Sequence, residues 1–189
     1  MQESARVPIE WIAQLLVNQP KVVLGKQEVD AILPHEGWWH LIDTVTFFVD
    51  TVTSVNKAIG ELFFIGEICR GHVIDGVLLA PGCIWYDMAA QFFGIMISRE
   101  PKVLARLGKD NKVASKGYGA SNFRGPAFPD DYLIIEGPPT VAYKERLGLF
   151  TITGGPFSIR RRGEKKPIVE IESVTLMPAS FKDLKRSNA

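Results

Sequence analysis

Only two cysteines, Cys69 and Cys83, and three histidines, His35, His40 and His72, occur among 189 residues. That supply is too thin for a disulfide framework or a Cys/His zinc cluster, and reduced thiols in a cytosol are the expectation. His35 and His40 lie five apart across Glu36-Gly37-Trp38-Trp39. On a helix that spacing turns them roughly 140° apart, and on a strand it puts them on opposite faces, so no metal is expected. No Gly-Lys-Ser/Thr phosphate loop, nucleophile elbow or dinucleotide fingerprint occurs, which excludes the common nucleotide-dependent and serine-hydrolase chemistries. Charge of one sign is lacking too. Twenty-two Lys and Arg face 21 Asp and Glu, a formal net charge of +1, so neither nucleic acid nor an anionic membrane is an expected partner. No apolar run approaches bilayer length, and Met1-Gln2-Glu3-Ser4 has no basic-then-apolar leader pattern, so a cytoplasmic location is expected.

What is present is a core. Hydrophobic residues make up 46% and charged residues 23%, which fits one globular domain over residues 1–189. Pro8 to Leu16 has apolar residues at helical spacing and predicts a short amphipathic helix, with Asn18-Gln19-Pro20 as its stop. Ile32 to Gly37 reads as irregular or briefly helical. Strands are expected at Leu41–Val49, Asn56–Phe64, Val113–Phe123, Tyr132–Glu136, Thr140–Lys144, Phe150–Arg160 and Ile168–Leu176, separated by Gly-, Pro- and Asp-rich turns. Arg99–Asn111 is charged and loop-like, and Arg160-Arg161-Arg162 with Lys165-Lys166 reads as a solvated hairpin tip. Between the strands lies one long apolar segment, 82 to 98. Consecutive strands with short turns imply an antiparallel sheet, and a single enclosed helix implies an α+β domain whose sheet wraps it. The tail from Ser180 is expected to fray.

From Gly82 to Ser98 no Glu, Lys, Arg or His accompanies Asp87, and an aspartate in an apolar helix calls for a use. Pro81-Gly82 opens the helix: proline suits its first turn, and glycine lets a ligand approach the exposed N–H groups. Asp87 falls about 7 to 8 Å further along the axis at ~1.5 Å per residue, and Gln91 follows one turn later on the same face, able to hold the carboxylate. Cys83, Ala90 and Gly94 leave room beside them. An apolar surround raises a carboxyl pKa, which suits a group that delivers a proton. His72, between Gly71 and Val73-Ile74, precedes this helix opening and completes an acid/base pair.

Leu33-Pro34-His35, Leu41-Ile42-Asp43, Gly71-His72, Pro81-Gly82-Cys83 with Asp87, Met88 and Gln91, and Phe123-Arg124-Gly125-Pro126 with Pro129-Asp130-Asp131 together resemble the β-hydroxyacyl-acyl carrier protein dehydratases, over residues 32 to 177. The resemblance implies a hot-dog fold, an antiparallel sheet around a long central helix. It implies elimination of water from a 3-hydroxyacyl thioester, on acyl carrier protein or coenzyme A, to give a trans-2-enoyl thioester, with no cofactor. By resemblance His72 acts on the C2 proton, Asp87 handles the departing C3 hydroxyl, the Gly82 N–H polarises the thioester carbonyl and the Leu79 carbonyl orients the imidazole. Cys83 and Gln91 join Gly82 and Leu79 around the substrate. Family members dimerise with histidine and carboxylate from opposite subunits, so a homodimer or an oligomer of dimers is expected. Two departures stand out: the loop from His72 to Pro81 is one residue longer than in the family, and its middle proline is absent. Asp rather than Glu at 87 resembles the branch that also isomerises the double bond. A hot-dog thioesterase, in which Asp87 activates water, and a non-catalytic acyl-binding or partner subunit are the alternatives.

Overall fold

A helix that is apolar on all sides has to be covered on all sides, and here the chain curls a sheet around it. The computed structural model describes residues 21–33, 40–48, 57–64, 66–98, 103, 105, 112–137, 141–146 and 149–179. In chain order the elements are β1 (Lys21–Leu24), α1 (Lys26–Ile32), β2 (Thr44–Phe48), β3 (Lys57–Phe63), a 3₁₀ turn at Gly66–Cys69, β4 (Val73–Ile74), β5 (Val77–Leu78) and α2 (Ile84–Ile97). Then follow β6 (Lys112–Tyr118), β7 (Ser121–Phe123), β8 (Tyr132–Gly137), β9 (Val141–Arg146), β10 (Leu149–Gly154), β11 (Phe157–Arg161), β12 (Val169–Ile171) and β13 (Val174–Ala179).

Seven strands form one sheet in the order β1-β2-β3-β8-β11-β12-β7, four form a second in the order β6-β13-β10-β9, and β4 pairs with β5. Every strand pairing among the described residues is antiparallel, as in β3 with β8 (Gly60↔Ile135) and β10 with β9 (Ile152↔Tyr143). The α+β architecture expected from the strand pattern is the one observed.

Three expected strands each divide in two, and the breaks coincide. Val113–Phe123 parts into β6 and β7, Phe150–Arg160 into β10 and β11, and Ile168–Leu176 into β12 and β13. In each case the first half lies in one sheet and the second in the other. The breaks stack side by side: Gly119 N–H donates to Ser173 O at 2.8 Å and Glu172 N–H to Ala120 O at 2.8 Å. A Cβ added at Gly155, whose φ is +148°, would stand 2.3 Å from Glu172 O. Only glycine fits that crossing. The line of breaks is a crease at which the sheet turns to enclose α2.

Inside the crease the helix presses two phenylalanine rings against strand glycines. A Cβ on Gly154 would meet Phe93 Cε2 at 2.4 Å, and one on Gly60 would meet Phe92 Cδ2 at 2.8 Å. Phe92, Phe93 and Phe157 are buried and pack with centroids 6.2 Å (Phe92–Phe157) and 5.8 Å (Phe93–Phe157) apart. Each such ring contributes roughly 1.5–3 kcal/mol by leaving water. This seating fixes the height and rotation of α2, and with them the position of its N-terminal turn.

Residues 26–32 form a helix that ends where the segment read as irregular or briefly helical begins, at Ile32; Glu28 Oε2 accepts the Gly25 N–H at 2.8 Å and caps it. Arg160 and Arg161 belong to β11, not to a hairpin tip. Arg160 pairs with Glu136 at 2.7 Å, and Arg162 lies over the Tyr132 ring at 4.5 Å. The predicted helix at Pro8–Leu16, His35 and the tail from Ser180 lie outside the described residues.

Candidate active site

His72 is placed by a hairpin. Val73 faces Leu78 and Ile74 faces Val77 across a two-residue turn, Asp75-Gly76. Both turn residues have positive φ, +50° and +77°, the conformation that a tight hairpin of this twist demands and that Asp-Gly supplies. A proline in either arm of this hairpin would remove a ladder donor. In the alternation of an antiparallel ladder, His72 and Leu79 form the next hydrogen-bonded pair. Half of it is made: Leu79 N–H donates to His72 O at 3.3 Å. The His72 N–H turns instead to Cys69 O at 2.8 Å, and the Leu79 carbonyl takes the imidazole, with Nδ1 3.0 Å away. A carbonyl only accepts, so the neutral ring carries its proton on Nδ1 and presents the Nε2 lone pair outward. The Leu79 carbonyl and the hairpin backbone thus fix the orientation of the imidazole.

The helix opening is accessible. A Cβ at Gly82 would meet nothing within 4 Å, and Cys83, the N-cap residue, is an exposed free thiol. Cys69, by contrast, is buried, and burial pushes its thiol pKa up. Asp87 sits in the first turn of α2 and is partly exposed. Complete burial, the condition that made this carboxylate conspicuous in the sequence, is met instead by Gln91, only 3% exposed. Gln91 Oε1 accepts the Leu41 N–H at 2.9 Å, tying α2 to the segment before β2. With its oxygen committed, the amide has only N–H donors left to offer a carboxylate.

Beside Asp87 stands an aromatic wall the sequence reading passed over. Tyr86 packs on Tyr118, at the end of β6, with centroids 4.7 Å apart, and edge-on to Phe123, at the end of β7, at 6.0 Å. The Tyr118 phenol is held above its ordinary pKa by burial first, with the negative charge of Asp87 adding to the effect. The signal was available as two aromatics flanking the Gly119-Ala120 break, but only the crease shows that both turn toward the helix.

The Phe123–Asp131 motif forms a fastened loop. Arg161 Nε donates to Asp131 Oδ2 at 2.8 Å, Nη2 donates to Pro126 O, and the guanidinium lies 5.7 Å from the Phe128 ring centre. Hydrogen bonding to Asp131 holds Arg161 above its ordinary pKa, against the opposing effect of burial. Ala80 N–H donates to Ala127 O at 2.9 Å, so this loop also grips the segment that leads from the hairpin into α2. Arg124 is engaged by Glu170 at 2.7 Å. His40 is engaged at Nδ1 by Asp30, 2.5 Å away. Among the described residues no cluster of three or more His, Cys, Asp or Glu side chains could hold a metal ion, and no helix is long and apolar enough to cross a membrane.

No family model matches the chain. A 3-hydroxyacyl-[acyl-carrier-protein] dehydratase FabZ from Chlamydia muridarum is 28% identical over 121 residues, 61% of this chain and 72% of its own. The FabZ of Chlamydia trachomatis serovar L2 matches with the same identity and coverage. Among solved structures, the dehydratase heterocomplex ApeI:P from Xenorhabdus doucetiae aligns with a TM-score of 0.56 and 20% identity, over 85% of this chain and 97% of that one. The chain has the hot-dog fold and is similar in sequence to FabZ dehydratases. A mutant of the fluoroacetyl-CoA-specific thioesterase FlK aligns at a TM-score of 0.49 with 5% identity over 68% of this chain.

Proposed function

We propose that this chain eliminates water from a 3-hydroxyacyl thioester, carried on acyl carrier protein or coenzyme A, to give the trans-2-enoyl thioester. The observation that carries the reading is the bond between His72 Nδ1 and Leu79 O, which leaves Nε2 as a base on a hairpin joined directly to an open helix N-terminus. Nε2 takes the C2 proton. The carbonyl oxygen gathers the resulting enolate charge and accepts a hydrogen bond from the Gly82 N–H, where the helix dipole favours negative charge. Asp87, in its acid form, protonates the C3 hydroxyl, the C3–O bond breaks and water departs. The imidazolium proton then returns to the carboxylate through solvent, which resets both groups. Cys83 and Gln91 shape the pocket beside them. The active unit is a homodimer in which the histidine of one subunit meets the aspartate of the other. Supporting it, Val73, Ile74 and Val77 on the hairpin are 56%, 51% and 46% exposed, an apolar surface that a second copy would cover.

The test separates two products. Purified protein is incubated with a 3-hydroxyacyl thioester, and enoyl formation and free thiol are followed independently. Enoyl without thiol is the expected result; thiol without enoyl would assign the chain to the thioesterases instead. Mixing His72→Ala with Asp87→Asn subunits restores activity if each site takes one residue from each subunit, and restores none if both come from one chain.

A further inference from the structure

We propose that Arg161, together with Asp131, is a positioning residue for His72, acting through the backbone of two loops. The Leu79 carbonyl that holds the imidazole and the Ala80 N–H that donates to Ala127 O belong to the same peptide group. In a trans peptide these two point in opposite directions within one plane. Fixing the N–H on Ala127 O therefore fixes the direction of the Leu79 carbonyl, and the carbonyl fixes the ring. Ala127 is fully buried and cannot wander alone. What holds it is the clamp one residue upstream, the Arg161 guanidinium on Pro126 O, itself aimed by Asp131 Oδ2 at 2.8 Å. That same carboxylate oxygen accepts the Phe128 N–H at 2.9 Å, so Asp131 and Arg161 grip the loop on both sides of Ala127. Phe64 closes the far end: its N–H donates to Asp131 O at 2.9 Å and its carbonyl accepts the Asp130 N–H at 2.8 Å.

The relay runs from guanidinium to loop carbonyl, from loop to peptide plane, and from peptide plane to Nδ1. Its output is the tautomer and aim of the imidazole. A planar fork that reaches a carboxylate and a carbonyl at once is a geometry Arg supplies and Lys does not.

The experiment reads His72 directly. Imidazole nitrogen NMR on the full-length protein, with His72 assigned by its loss in His72→Gln, reports which ring nitrogen carries the proton. The wild type is expected to show the Nδ1–H form alone. In Arg161→Gln the other tautomer becomes populated, kcat falls about 10- to 100-fold with KM within about twofold, as when an outer partner misaims a reacting group, and Arg161→Lys does not restore it. A folded Arg161→Gln protein whose His72 keeps the pure Nδ1–H form overturns the proposal, as does rescue by Arg161→Lys. Should Arg161→Gln fail to fold, Asp131→Asn answers the same question by the same criteria. The kinetic arm rests on the dehydratase reading, whereas the NMR arm does not, so a protein silent toward hydroxyacyl thioesters still decides whether the clamp positions His72.

Discussion

The two halves of the proposed site are held in different ways. His72 hangs on backbone hydrogen bonds: a turn with two positive φ angles, a half-made ladder rung and a loop clamped from β11. Asp87 is held by helix register, and the register is fixed by rings seated in strand glycines. Backbone-held groups depend on many weak donors and tolerate little local change. Helix-held groups depend on core packing, and they shift only when the whole helix shifts.

That contrast can be broken from either side. The largest effect is expected at the proposed reacting groups: His72→Ala and Asp87→Asn should each lower enoyl formation about 10²- to 10⁴-fold, the usual worth of a general acid or base, with thermal unfolding unchanged. Next comes the helix seat. Gly154→Ala places a methyl 2.4 Å from Phe93 Cε2, and the overpacking should cost about 1–3 kcal/mol in denaturant unfolding. The hairpin gives the opposite pattern. Gly76→Val forces a β-branched residue to φ +77°, a local cost of about 1–2 kcal/mol, which should lower activity more than global stability. The smallest effect is on the acid limb. Partial burial pulls the Asp30 carboxyl up, but its bond to His40 and the charge of Lys26 outweigh that and hold it below its ordinary value of 3.8. A depressed carboxyl contributes stability that is present above its unfolded value and lost as pH falls through the folded one. Asp30→Asn should therefore flatten the loss of stability below pH 3.8, and only slightly, because Asp30 is 40% exposed.

The helix half was legible in the sequence because helical period and the Pro81-Gly82 opening are local properties of consecutive residues. The strands were legible as segments but not in their breaks: Gly119, Gly155 and Ser173 lie far apart in the chain, and only their stacking makes a crease. His72 could be nominated from Gly71 and the nearby helix, yet the way it is held depends on Asp75-Gly76 acting as a hairpin turn. A loop longer than the family's gave no sign of that until its pairing register was known. Helical spacing puts Gln91 one turn beyond Asp87, whereas its bond to Leu41, fifty residues away, has no local signature. Arg161 read as part of a solvated charge run. Its partners Asp131 and Pro126 come together with it only because β8 and β11 are neighbours in the sheet.

The most direct measurement is enoyl formation by His72→Ala, Asp87→Asn and the double variant, side by side with wild type. Two groups serving one transition state act as a unit, so their losses do not multiply. The double variant is predicted to be no slower than the worse single variant, with all three far below wild type. Losses that multiply, or a His72→Ala protein that retains full activity, would contradict the claim that hairpin and helix build one reaction centre.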